Sequence, residues 1–359
     1  MTNTFSIFRS MKNLLPFLCL FLILSCSSEK EERKSNLTPY WQPLESGVTA
    51  GFRGLSGVSD QVAWASGSGG TVIRTIDGGE TWEDVSVPDT DTIQYRDIEA
   101  FDANTAIVLS AGLPAVIYKT TDGGKNWEQK YFSMADGTFY DAMDFWNEKE
   151  GIAFGDAIDG KLLILRTFDG GESWEELPFE QRPKAIDGQG GFAASGTCLR
   201  THGDSHVWIG LGGLESSVHY STDKGETWQK STAPIDYGPA AGIFSIQFRD
   251  DMNGIAIGGD YRGDSLTTKN RVAFTRDGGA TWQSVMDGMQ PNGYRSAIDF
   301  YEEFVLVVGR ESADFYRQGE YAYTPMEGAY YAVHTAKDKS AVWASGPNGK
   351  VAKLMFRTE

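Results

Sequence analysis

Thr75-Ile76-Asp77-Gly78-Gly79-Glu80-Thr81-Trp82 returns as Thr120-Thr121-Asp122-Gly123-Gly124-Lys125-Asn126-Trp127, and again at Thr167–Trp174, Ser221–Trp228 and Thr275–Trp282. Successive tryptophans stand 45, 47, 54 and 54 residues apart. A supersecondary unit with that period denotes a propeller or a solenoid. In each copy the acid (Asp77, Asp122, Asp169, Asp223, Asp277) can accept hydrogen bonds from its own turn, and the glycine supplies the positive φ of a tight hairpin. The tryptophan just past the turn can wedge between neighbouring sheets.

Upstream of each octapeptide runs a strand of small and apolar residues ending in glycine, as in Val62–Gly67, Gly151–Gly155, Val207–Gly210 and Gly254–Gly258. Ala341–Gly346 repeats it near the C-terminus. Before that strand comes the innermost strand of each unit, entered at Phe52-Arg53, Tyr95-Arg96, Phe139-Tyr140, Gly191-Phe192, Ile243-Phe244, Tyr294-Arg295 and Tyr330-Tyr331. Seven entries predict an all-β, seven-bladed β-propeller. Blade six keeps strands at Phe304–Gly309 and Tyr321–Met326 without the octapeptide, and blade seven ends at Val351–Phe356 one strand short. Pro39-Tyr40-Trp41-Gln42-Pro43-Leu44 supplies the missing strand, with Trp41 one period before Trp82. The N-terminal strand is therefore expected to complete the last blade, which leaves no open sheet edge. The 42 glycines and 10 tryptophans suit many short strands with bulky rings between sheets.

Residues 1–25 read as a lipoprotein signal peptide. Arg9 and Lys12 precede the apolar run Leu14–Leu24, and Cys26 follows as the residue to be acylated; Met11 is an alternative start. The run is too short to cross a ~30 Å hydrocarbon core. Residues 26–37 form a polar tether and 38–359 the propeller. The expected location is the cell envelope, with the lipid as the sole membrane contact and the chain a monomer. Loss of Arg9 and Lys12 takes the formal charge from −17 to −19, which disfavours nucleic acid as a partner. Cys198 then has no cysteine to pair with and reads as a small buried strand residue.

The octapeptide resembles the Asp-box, or BNR, turn of sialidases and many non-enzymatic propellers. The blade entries, with Tyr95–Phe101, Phe139–Phe145, Gly191–Thr197 and Gly254–Asp260, resemble a bacterial family of BNR-repeat propellers related to the photosystem II assembly and stability factor. Members are often labelled oxidoreductase or glycosyl hydrolase-like. The resemblance implies a binding or assembly scaffold; the related assembly factor is thought to engage a peptide through an arginine patch. The residues give the oxidoreductase label no support. Gly67–Gly70 joins two strands, so no helix N-terminus faces a phosphate. His202, His206, His219 and His334 lack metal-ligand spacing, and neither cofactor nor metal is expected.

Loops entering the innermost strands crowd one face of a propeller. There the sequence places Arg53, Arg96 and Arg295 at matching positions, with Tyr140 and Tyr331 at equivalent ones. Arg binds carboxylates bidentately, so this crescent is a candidate site for an anionic peptide or acidic glycan. The alternative is internal pairing with Asp97, Glu99, Asp141, Asp156 or Asp260. A sialidase-like hydrolase would need two acids at fixed separation. Asp156, Asp260 and Glu311 lie on suitable loops, but no Phe/Tyr-Arg-Ile-Pro motif is present. Catalytic residues are not identifiable, and the balance favours a binder over an enzyme.

Overall fold

The computed structural model describes residues 37–358 except 187–188, 263–268, 287–289, 292 and 318–322. The signal peptide, Cys26, residues 26–36 of the tether, most of the loop 260–270 and Tyr321 lie outside the described residues. Pro39–Met355 builds the propeller. Among the described residues the strands form seven four-stranded antiparallel sheets, one per blade. Their innermost strands are Phe52–Gly57, Tyr95–Ala100, Tyr140–Phe145, Leu199–His202, Ala241–Phe248, Ala297–Tyr301 and Ala332–Thr335. The strand Leu37–Glu45 pairs with Lys350–Thr358 in the sheet of blade seven, closing the ring as expected. Trp41 is buried there, its ring 5.4 Å from that of Tyr330.

The octapeptide works as its chemistry demands. Thr75 Oγ1 donates to Asp77 Oδ1 (2.8 Å) and accepts from the Gly79 N–H (2.9 Å), while the Thr81 N–H donates to Asp77 Oδ1 (2.9 Å). Gly79 sits at φ +91°, where a Cβ would also strike Leu44 Cδ1 at 2.5 Å. Trp82 meets Trp343 of blade seven edge-on at 6.0 Å, and Trp127 meets Trp64 of blade one at 6.5 Å. The tryptophan of each turn thus cements its blade to the preceding one.

Around the channel, hydrogen bonds from innermost-strand N–H groups link each blade to the next. The Ala100 N–H donates to Ser56 Oγ (3.1 Å), Met143 N–H to Asp97 Oδ2 (2.7 Å) and Thr201 N–H to Asp144 Oδ2 (2.7 Å). Ile246 N–H donates to the Thr197 carbonyl (2.9 Å) and Ile298 N–H to Ser245 Oγ (3.1 Å). Thr335 N–H donates to Asp299 Oδ2 (2.6 Å), and Gly57 N–H to His334 Nδ1 (3.1 Å). These bonds satisfy strand N–H groups that no sheet partner reaches.

Blade four departs from the sequence reading. Its innermost strand begins at Leu199; Gly191–Cys198 is a loop, so Cys198 is buried beside the strand and outside it. Phe192 stacks on Phe244 of blade five, rings 3.9 Å apart. Gly212 and Gly242 touch so closely that a Cβ on Gly242 would lie 2.2 Å from Gly212 Cα. Those contacts hold the segment across the channel mouth instead of in the sheet.

Candidate functional site

In four blades a bulge at the start of the innermost strand aims one side chain at the upper channel mouth. The pairing register skips a residue between Phe52 and Gly54, Tyr95 and Asp97, Tyr140 and Ala142, and Ile243 and Ser245. The extra residues are Arg53, Arg96, Asp141 and Phe244, and a bulge of this kind re-aims the side chain it carries. Tyr331 takes the same place in blade seven, directly after buried Tyr330.

All five line a cavity of about 380 Å³. Arg53 Nη1 donates to the Ala194 carbonyl (3.1 Å) and Arg96 Nη1 to the Ala193 carbonyl (3.0 Å). The blade-four loop therefore fixes each guanidinium by one bond, and both side chains line the cavity with no other hydrogen bond among the described residues. The Arg53 guanidinium also lies 4.3 Å from the centre of the Tyr331 ring, a cation–π contact. Burial, with Arg53 nearby, lowers Arg96 to about 10, so it stays charged at neutral pH. Arg310 lines the same cavity, half exposed, with Glu311 3.7 Å from its Nε.

The opposite wall is aromatic. Phe192 stacks on Phe244, and Phe244 meets Tyr294 edge-on at 4.7 Å and Tyr261 at 6.2 Å. Two acids complete the lining. Asp141 is 1% exposed and neither carboxyl oxygen has a hydrogen-bond partner; Asp156 accepts from the Gly191 N–H at 3.1 Å. Burial raises both, and the neighbouring Asp156 pushes Asp141 further up.

Two members of the expected crescent are elsewhere. Phe52 N–H donates to the Gly346 carbonyl, Tyr330 N–H to Gly309 and Arg295 N–H to Gly258. Arg295 is thus the counterpart of buried Phe52 and not of Arg53. A one-residue offset in a strand turns the side chain to the other face, so Arg295 is wholly buried. Its Nε donates to Asp314 Oδ2 at 2.9 Å, Nη2 reaches the same oxygen, and Nη1 donates to the Tyr294 carbonyl at 3.0 Å. Tyr140 pairs with Gly155 as Phe52 pairs with Gly67, and its buried hydroxyl lies 3.1 Å from that of Tyr131. Asp97 belongs to the hydrogen-bond belt. Asp260 accepts from the Arg262 N–H (2.8 Å) and, like Glu311, is not among the cavity-lining residues. Of the candidates, the structure brings together Arg53, Arg96, Tyr331, Asp141 and Asp156. The sequence reading missed Arg310, although its place directly after the glycine that ends a second strand marks it as a mouth residue.

Residues 219–230 match the BNR/Asp-box repeat, and residues 33–135 match the family described as photosynthesis system II assembly factor YCF48. The chain is an Asp-box repeat β-propeller, similar over residues 33–135 to that family. Solved propellers resemble most of this chain. YCF48 bound to D1 peptide has a TM-score of 0.63 at 17% identity, covering 87% of this chain and 96% of that one. YCF48 from Cyanidioschyzon merolae has 0.60 at 15%, covering 88% and 98%. The GH74 xyloglucanase from Xanthomonas campestris has 0.59 at 12%, covering 89% of this chain and 56% of that one. At such identities the likeness is one of fold. No curated protein sequence matches the chain.

Proposed function

We propose that this propeller is a binding and assembly scaffold that captures an anionic peptide at the upper channel mouth, held at the cell envelope by a lipid on Cys26. One observation carries the reading: Arg53 and Arg96 are each pinned by a single backbone carbonyl and line an open cavity with no other hydrogen bond among the described residues. Fixed guanidinium donors suit a carboxylate, and in a chain of charge −17 a positive pocket draws acidic ligands that the rest of the surface repels. The related factor solved with a bound D1 peptide favours a peptide over a glycan as ligand. The aromatic wall offers an apolar surface beside the charge, as peptide side chains require.

A hydrolase reading has less support. The carboxyls lining the cavity, Asp141 and Asp156, lie against each other, whereas a glycosidase holds its two acids about 5 Å or more apart across the scissile bond. The test is capture of envelope peptides by residues 38–359, compared with Arg53→Gln/Arg96→Gln. Loss of capture with an unchanged melting temperature supports the scaffold; equal capture defeats it. Release of reducing sugar from an acidic polysaccharide would favour the hydrolase. Palmitate labelling lost in Cys26→Ala tests the anchor.

A further inference from the structure

Asp141 is the one bulge residue of the cavity whose buried carboxyl oxygens make no well-formed hydrogen bond, with the Ala193 N–H and the Asp156 carboxyl as their nearest polar neighbours. It occupies the position that carries Arg53 and Arg96 in blades one and two, so its carboxyl points at the same cavity. The loop of blade four seals it in. A Cβ on Gly191 would lie 2.5 Å from Asp141 Cγ, and one on Gly190 2.2 Å from Asp156 Oδ1, so only glycines let the backbone close so tightly on both acids. A buried carboxylate with no hydrogen bond is costly, and two neighbouring buried carboxyls cannot both ionise cheaply.

The charged and titratable groups around Asp141 are known from every packed side. Asp156 faces it from strand Gly151–Ile158, and Arg96 from strand Tyr95–Ala100. The Cys198 thiol lies on the blade-four side. Arg53, Arg310 and Tyr331 line the same cavity. Cys198 is kept neutral by burial and by Asp141 itself. Asp97, raised to about 8 by burial, sits near Cys198 but accepts the Met143 and Ile98 N–H groups and is not among the cavity-lining residues. The acids that face the cavity are Asp141 and Asp156, which behave as one coupled unit.

We propose that protonated Asp141 is a further anion-binding donor of this pocket, and that a carboxylate captured beside Arg53 and Arg96 draws one proton from solvent onto the Asp141–Asp156 pair. The balance is simple: one anion and one proton enter, nothing leaves, and no covalent bond between ligand and protein forms. An added negative charge favours the neutral acid, so capture tightens as pH falls. The proposal rests on the anion-binding reading above and adds its regulation.

The probe is 3-phenylpropionate, a monovalent carboxylate with a ring for the aromatic wall, titrated calorimetrically into residues 38–359. Between about pH 6 and about pH 9 the probe stays ionised. Wild-type affinity should fall about tenfold across that range, the effect of unit charges several ångströms apart in a partly buried site. Buffers of different ionisation heat should report proton uptake approaching one per probe. Asp141→Asn, which keeps an N–H donor but cannot titrate, should bind with a pH-independent affinity and no proton uptake. It should melt no lower than wild type at pH 8, which verifies its fold. A flat wild-type profile without proton uptake overturns the inference, as does pH dependence retained in Asp141→Asn. Arg53→Gln/Arg96→Gln separates the two levels. If it loses the probe while wild type shows a flat profile, the proton linkage alone fails. If it binds as wild type does, or if wild type binds at no pH, the anion-binding reading fails and the inference with it.

Discussion

The two mouths of the channel carry similar residues in opposite states. At the lower mouth Glu99, Asp144, Gln247, Asp299 and His334 are already engaged, and Arg200 beside them is the exception, its Nε and Nη2 having no partner among the described residues. Asp144 and Asp299 each accept two backbone N–H groups, Gln247 donates to Asp299, His334 accepts from Gly57, and Lys337 pairs with Glu99. At the upper mouth Arg53 and Arg96 have one bond each and Asp141 has none. Charge alone does not mark a site. What separates the mouths is how much polar capacity the fold leaves unused, several groups at the upper mouth against Arg200 alone among those named at the lower, because a buried donor or acceptor without a partner favours any ligand that supplies one.

That contrast breaks down if charged residues in the saturated regions can be removed as cheaply as those in the pocket. Asp314→Ala leaves Arg295 buried and unpaired, and should cost about 3–5 kcal/mol in urea unfolding. Asp299→Ala orphans two strand N–H groups and the Gln247 amide, for a loss of about 3 kcal/mol by the same measurement. Arg53→Ala should cost less than about 1 kcal/mol, because its side chain makes one backbone bond and an aromatic contact at a solvated mouth, yet it should weaken anionic peptide binding about tenfold or more. Equal stability losses at Arg53 and Asp314 would abolish the distinction.

The belt also predicts an acid limit. Burial, reinforced by Arg200 and Lys337, pushes His334 down to about 3, so it is neutral in the native state and accepts the Gly57 N–H through Nδ1. Between about 3 and the ordinary value of 6.5 the unfolded chain binds the proton that the native chain refuses. Stability from this group is therefore complete above pH 6.5 and lost as pH falls, by about 2 kcal/mol at about pH 5. His334→Gln should flatten that slope in unfolding measured from about pH 7 to about pH 5. An unchanged slope would place the acid sensitivity outside this joint.

The octapeptide, its period and the stray strand around Trp41 determined blade number, strand type and ring closure from sequence, because each is encoded within a few neighbouring residues whose chemistry has one structural use. The same locality placed Arg53, Arg96 and Tyr331 correctly at the mouth. It failed at Tyr294-Arg295 and Phe139-Tyr140. An aromatic-then-arginine or aromatic-then-tyrosine pair looks like Phe52-Arg53, but in both blades the second residue of the pair takes the place of Phe52. Only the pairing of each strand with Gly309 or Gly155 fixes which neighbour points inward. Blade four was misread for a related reason: whether Gly191–Thr197 is strand or loop depends on Phe244 and Gly242, which lie about fifty residues away. Sequence carried the repeat, a short-range property. Register across strands, and with it which charge is buried and which is free, belongs to contacts between distant segments, and only the closed ring decided it.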